Sequence, residues 1–119
     1  MNWYLAKIVY QIICGDGAHR PQFDEQLRLV EANSEYEAFH KAQRIGITEQ
    51  ERFLNDRQRL VEWKFIDVCE LHLLSELIDG AELYSRIHEA DDADSYIDIV
   101  HRKANFIEGE NALRSLQLI

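Results

Sequence analysis

"FDEQLRLVEANSEYEAFHKAQRIG", residues 23–46, changes its period partway along, and that change decides the fold. From Phe23 to Ala32 the chain alternates like a strand, with Phe23, Leu27 and Leu29 on one parity. From Ser34 it turns helical. Ser34 and Glu37 stand at the spacing of a capping box, and Glu37 and Lys41 are four apart. Ala38, Ala42 and Ile45 form a stripe that Phe39 widens. Gly46 is placed to end the helix in a left-handed conformation. Two alanines on the stripe let such a helix lie close on a sheet. Glu25 is the misfit, because it shares its parity with Phe23 and Leu27. A bulge or strand end near the preceding loop is the expected explanation. The alternative is a buried acid paired with Lys7, Arg28 or Arg86.

Upstream, Tyr4, Ala6, Ile8, Tyr10, Ile12 and Cys14 occupy the even positions of "WYLAKIVYQIIC", while Lys7 and Gln11 fall on odd ones. This is a long strand with one core face. "GDGAHRP" then gives a turn with Pro21 at the entry to the next strand, so the two strands should form an antiparallel hairpin. Trp3, Leu5, Val9 and Ile13 lie on the far face, which the tail or a second subunit is expected to cover.

Downstream, Asn55-Asp56 reads as a turn between a short strand near Arg52–Leu54 and a long one, "LVEWKFIDVCELHLL". Past Asp67 the apolar residues occur on both parities, as a bulge there would produce. Asp79-Gly80 marks another turn, and Leu83 and Ile87 suggest a last short strand. Asp91, Asp92 and Asp94 precede "SYIDIVHRKANFI", whose Tyr96, Val100, Ala104 and Ile107 recur at helical spacing. The acids should cap this helix and Gly109 should end it, before "ENALRSLQLI" attempts another turn or two. The expectation is an α+β fold in the order β-β-α-β-β-β-α: a mainly antiparallel sheet of four to five strands with helices packed on one face. Residues 1–119 should make a single domain, with a core over 1–90 and a helical extension over 91–119.

With 119 residues, 46% hydrophobic and 29% charged, the composition is that of an ordinary soluble globular protein. The net charge of −9 repels phosphate backbones, and the only adjacent basic pair is Arg102-Lys103, so nucleic-acid binding is not expected. The start has a lysine within its apolar run and no basic leader, which argues against a signal peptide or membrane span. Two cysteines inside apolar runs point to buried thiols in a reducing cytoplasm rather than a disulfide framework.

Four blocks, "WYLAKIVYQI", "FDEQLRLVEANSEYEAFHKAQRIG", "VEWKFIDVCEL" and "DGAELYSRI", occur in an order that resembles a bacterial family, the domain of unknown function numbered forty-two eighty-eight. The likeness covers about residues 2–88. It implies a small protein and carries no catalytic residues over to this chain.

No nucleophile signature, metal-ligand spacing or phosphate loop is present, so no cofactor and no metal are expected. Cys69 and His72 lack a second close pair. Asp16 and His19 in the glycine-flanked loop could hold an anion or act as an acid/base pair, although a plain hairpin turn is the simpler reading. Asp67 falls on the parity of Val61, Trp63 and Phe65. With Glu25 it could supply paired carboxylates, for which Lys7, Arg28 and Arg86 are the available cations. The expected function is a non-catalytic protein-interaction module. It could act as a homodimer, or as a regulatory or immunity-type antagonist of a basic partner. The alternative is a small-ligand-binding protein or enzyme with a carboxylate-containing pocket between sheet and helix.

Overall fold

In the computed structural model, residues 1–117 are described, with side chains of the last helix through Glu110. The elements run β1 (Asn2–Cys14), β2 (Gln22–Ala32), α1 (Glu35–Thr48), β3 (Glu51–Leu54), β4 (Leu60–Leu74) and α2 (Ala93–Gln117). Leu118 and Ile119, the end of the expected helical tail, lie outside the described residues. The chain forms two compact units, Met1–Ser85 and Arg86–Ile119. The first is an antiparallel four-stranded sheet in the order β2-β1-β4-β3 with α1 on one face, so the fold is α+β. The fifth strand expected around Leu83 and Ile87 does not form.

The even residues of β1 make the core, as their alternation predicts. Tyr4, Ala6, Ile8 and Tyr10 pack with Val30 and Ala32 of β2, Val68 of β4, and Ala38 and Ala42 of α1. Both alanines are fully buried, which is the close helix approach that small residues permit. Ser34 Oγ accepts from the Glu37 N–H at 3.1 Å. The Glu37 carboxylate reaches back to the Asn33 N–H at 3.2 Å, one residue before the usual target.

Four expectations need correction. The helix does not stop at Gly46 but runs to Thr48, because Gly46 is a packing glycine: the Phe65 ring occupies the space a Cβ would take. The glycine also has no positive φ. Likewise α2 continues through Gly109 to Gln117. In β2 the reading of faces inverts. The β1–β2 register is unbroken from Asn2↔Ala32 to Ile12↔Gln22, so there is no bulge at Glu25, and the parity of Val30 and Ala32 faces α1. Phe23, Glu25, Leu27 and Leu29 therefore lie exposed on the outer face. Finally, Cys69 is exposed rather than buried; neither cysteine is in a disulfide.

The irregularities are in β4. Between Lys7↔Glu70 and Ile8↔Val68 an extra residue, Cys69, is bulged out, and between Val9↔Asp67 and Tyr10↔Phe65 a second, Ile66. These bulges keep Phe65, Val68 and Leu71 with the core despite their mixed parity.

Residues 75–85 return across part of the outer face. Their turn at Asp79-Gly80 has Gly80 at φ 83° and an Ala81 N–H to Ile78 C=O bond of 3.0 Å. Tyr84 meets His72 edge to face at 5.2 Å, and Leu77 and Ile78 share a hollow with Leu29. Part of the outer face is thus covered by residues 75–85, which the sequence reading did not assign to it; that reading looked to the tail or a second subunit. In the second unit Asp92 caps α2 by accepting from the Ser95 N–H at 3.1 Å, and Asp98 pairs with Arg102 at 2.8 Å. No helix among the described residues is long and apolar enough to cross a membrane.

Candidate functional site

The polar residues singled out by sequence fall in separate places. On the outer face Lys7 finds its partner across the β1–β4 ladder: its Nζ lies 2.6 Å from Glu70, which sequence reading did not select. The Tyr84 hydroxyl donates to the other Glu70 oxygen at 3.3 Å, and His72 Nε2 stands 3.6 Å from it. Bonding to Lys7 holds the Glu70 carboxyl below its ordinary range, and the same bond to Glu70 raises Lys7, with Glu25 adding a weaker attraction. Glu25 is thus an exposed acid beside the Lys7–Glu70 pair rather than half of a buried one.

A pH dependence follows. A carboxyl depressed on folding stabilises the native state above its ordinary value of 4.5, and that contribution is lost as pH falls through the lower folded value. Urea denaturation from neutral pH down through this window should show Glu70→Gln losing less stability than the parent. Parallel acid limbs would contradict the assignment.

Asp67 sits at the β4 bulges and turns to the helix side, where it accepts from Gln43 Nε2 at 3.1 Å and from the Val68 N–H at 2.8 Å. The Gln43 bond, then the Val68 bond, lowers its pKa. Glu25 and Asp67 both lie beside Val9 in register, on β2 and β4, but their carboxylates are on opposite faces, so they do not form an acid/base pair.

In the loop after β1, Gly15 and Gly17 take φ of 63° and 80°. Asp16 Oδ1 accepts from the Ala18 N–H at 2.9 Å, an Asx turn. His19 Nε2 accepts from the Cys14 N–H at 3.0 Å, while Nδ1 lies 2.9 Å from the Arg20 C=O, which assigns the ring proton to Nδ1. Both nitrogens are engaged in closing the hairpin. Arg86 is exposed, belongs to the second compact unit, and enters no ion pair among the described residues.

Of the selected residues, Arg28 lines a cleft. Beyond the C-terminal end of α1 the helix side of the sheet is uncovered, leaving a space of about 400 Å³. Gln26 and Arg28 of β2 line one wall, and Asp24 continues their hydrogen-bonded relay beside it. Arg28 pairs with Glu49 at 2.6 Å and donates to Gln26 at 3.0 Å. Gln26 donates to Asp24 at 2.7 Å, and Asp24 also accepts from the Trp63 indole at 3.1 Å. Phe53 and Trp63 lie nearly parallel, with centroids 6.0 Å apart and planes at 21°. Tyr10 forms part of the lining, its hydroxyl donating to the Gly46 C=O at 2.8 Å. Burial, then the charges of Glu49, Asp24 and Glu51, push the Tyr10 phenol up, while Arg28 pulls it down. Sequence reading missed Gln26 and Trp63, and Asp24 that holds both, because it placed the odd residues of β2 inward. The signal that finds them is the run of polar even positions, Asp24, Gln26 and Arg28, ahead of the buried pair Val30 and Ala32.

No curated protein and no solved structure matches this chain. A family model does, the domain of unknown function DUF4288, over residues 3–85, and its match ends at the residue that closes the first compact unit. That match covers well over half of the sequence, so the chain belongs to the DUF4288 family.

Proposed function

We propose that the family domain is a non-catalytic protein-interaction module that pairs through the free edge of β2, its first partner being a second copy of itself. The observation that carries this reading is the character of that edge. β2 is eleven residues long, ends the sheet, has no bulge, and contains neither proline nor lysine. Soluble proteins ordinarily blunt such an edge, and the opposite edge here is short, with Glu51 and Arg52 on its four residues. Beside the free edge, Phe23, Leu27 and Leu29 are 56%, 53% and 48% exposed on the outer face. The dispersal of the candidate acids, bases and cations over separate places supports an interaction role over a catalytic one, since catalysis needs such groups to converge.

The β2 sequence also complements itself. Two copies antiparallel about Gln26 would set Asp24 of each opposite Arg28 of the other, Phe23 opposite Leu29 and Glu25 opposite Leu27, so opposite charges face each other and one kind of apolar pair, Phe23 with Leu29, meets twice. Backbone hydrogen bonds and apolar contacts carry this pairing, so it should persist at high salt, whereas docking of a basic partner on the acidic surface would weaken.

Sedimentation equilibrium is the test. The parent chain should form a dimer with a dissociation constant on the order of 10 μM or tighter, about −7 kcal/mol. Leu27→Lys puts a charge beside the free edge at an exposed position. It should leave the melting curve nearly unchanged, within about 0.5 kcal/mol, while giving monomer. A parent chain that stays monomeric at millimolar concentration overturns self-pairing.

A further inference from the structure

We infer that the tip of the segment over residues 75–85 belongs to the pairing surface, where its hollow seats the partner's Phe23. This inference rests on the pairing through β2. The register of the sheet carries it. His72 of β4, Leu5 of β1 and Leu29 of β2 stand side by side in one row across the outer face. The segment follows that row. Tyr84 meets His72 edge to face, Leu5 is only 5% exposed, and at the free edge Leu77, Ile78 and Leu83 form a hollow with Leu29. With two copies antiparallel about Gln26, the next residue of the row beyond Leu29 is the partner's Phe23.

The hollow fits such an occupant. Adjacent strands lie about 4.8 Å apart, so a phenyl ring one strand beyond Leu29 is within reach of the side chains that share the hollow with it. The space is about 500 Å³, and a cavity of about 150 Å³ already takes benzene. Leu77, Ile78 and Leu83 are 43%, 64% and 44% exposed, so the tip leaves apolar surface at the edge where the row runs out. Phe23 is the largest apolar side chain on the outer face of β2 and is itself more than half exposed. The two-fold relation repeats the contact, so each dimer would seat two rings, one in each hollow. Gly80 at φ 83° and the bond from the Ala81 N–H to the Ile78 C=O fix the turn that presents Ile78, so the hollow exists before a partner arrives.

A double-mutant cycle on the dimerisation constant of the full chain tests the contact. Phe23→Leu draws the ring out of the hollow from the β2 side, and Ile78→Ala strips the hollow from a residue outside β2. Each should weaken dimerisation by roughly three- to tenfold, and the two together by clearly less than the product of their factors, because each removes the other's partner. Ile78→Leu keeps the volume and should hold the constant within about twofold. Both positions are more than half exposed, so the variants should fold, which circular dichroism checks. A dimer as tight in Ile78→Ala as in the parent, or factors that simply multiply in the double variant, overturns the seating of Phe23 while pairing through β2 stands. A parent chain that stays monomeric at millimolar concentration overturns both.

Discussion

Replacing Tyr10 by alanine should cost about 3–5 kcal/mol of unfolding free energy, the range for removing a buried large aromatic. Tyr10 is 1% exposed and is one of the three largest fully buried side chains. Its ring meets Phe65 edge to face at 6.0 Å, and its hydroxyl holds the Gly46 carbonyl at 2.8 Å. Alanine would remove the ring's transfer free energy, open a void between β1, β4 and α1, and leave a helical carbonyl without this donor. Single domains are stable by about 5–15 kcal/mol, so the variant should sit near its unfolding transition at physiological temperature. Tyr10→Phe separates the parts: it keeps the ring and loses one hydrogen bond, for a cost of about 1 kcal/mol. Denaturant melts followed by circular dichroism measure both. Equal costs for the two substitutions would show that the ring contributes little, contrary to its burial.

The same residue shows how far the sequence was legible. Tyr10 stands on the even parity of β1, and that alternation identified the core strand because α1 covers most of its length. The capping box at Ser34, the turn at Asn55 and the possibility of a bulge near Asp67 were equally readable, since each is set by local chemistry. Asn55 Oδ1 accepts from the Arg57 and Arg59 N–H groups at 2.9 and 3.0 Å, a bond pattern an asparagine can make from its own side chain.

What failed depended on how much of a strand its neighbour covers. Along β2 only Val30 and Ala32 are buried under α1. Past Arg28 the helix has ended, so the inward parity carries Asp24 and Gln26, and the outward parity carries Phe23, Leu27 and Leu29. Periodicity alone then points to the wrong face, and it concealed the cleft while calling for a bulge at Glu25 that is not there. Leu83 failed for a related reason. It is apolar because residues 75–85 lie over the outer face, and a covering segment needs apolar contacts without forming a strand.

Gly46→Ala is the sharpest test of how α1 is seated, because two effects of opposite sign compete at one atom. Alanine is favoured over glycine inside a helix by about 1 kcal/mol, so an unobstructed site would gain stability. Here the new Cβ would fall inside van der Waals distance of Phe65 Cδ1 and Cε1, and 3.1 Å from Cζ. The Phe65 ring has little freedom to withdraw. Tyr10 stands at its edge, and its backbone N–H is tied to the Gln50 side chain at 2.9 Å. Overpacking of this kind costs about 1–3 kcal/mol, occasionally more, and the contacts with ring carbons place it at the upper end, so the net effect should be a loss of about 1–2 kcal/mol. In a Phe65→Ala background the obstruction is gone, and Gly46→Ala should become stabilising by up to about 1 kcal/mol, the helix propensity alone. That reversal of sign is the result to look for in a double-mutant cycle of urea melts. A Gly46→Ala chain as stable as its parent with Phe65 intact would mean that α1 can shift along the sheet at no cost, and the close approach of helix and β4 would then not be what fixes the end of the cleft.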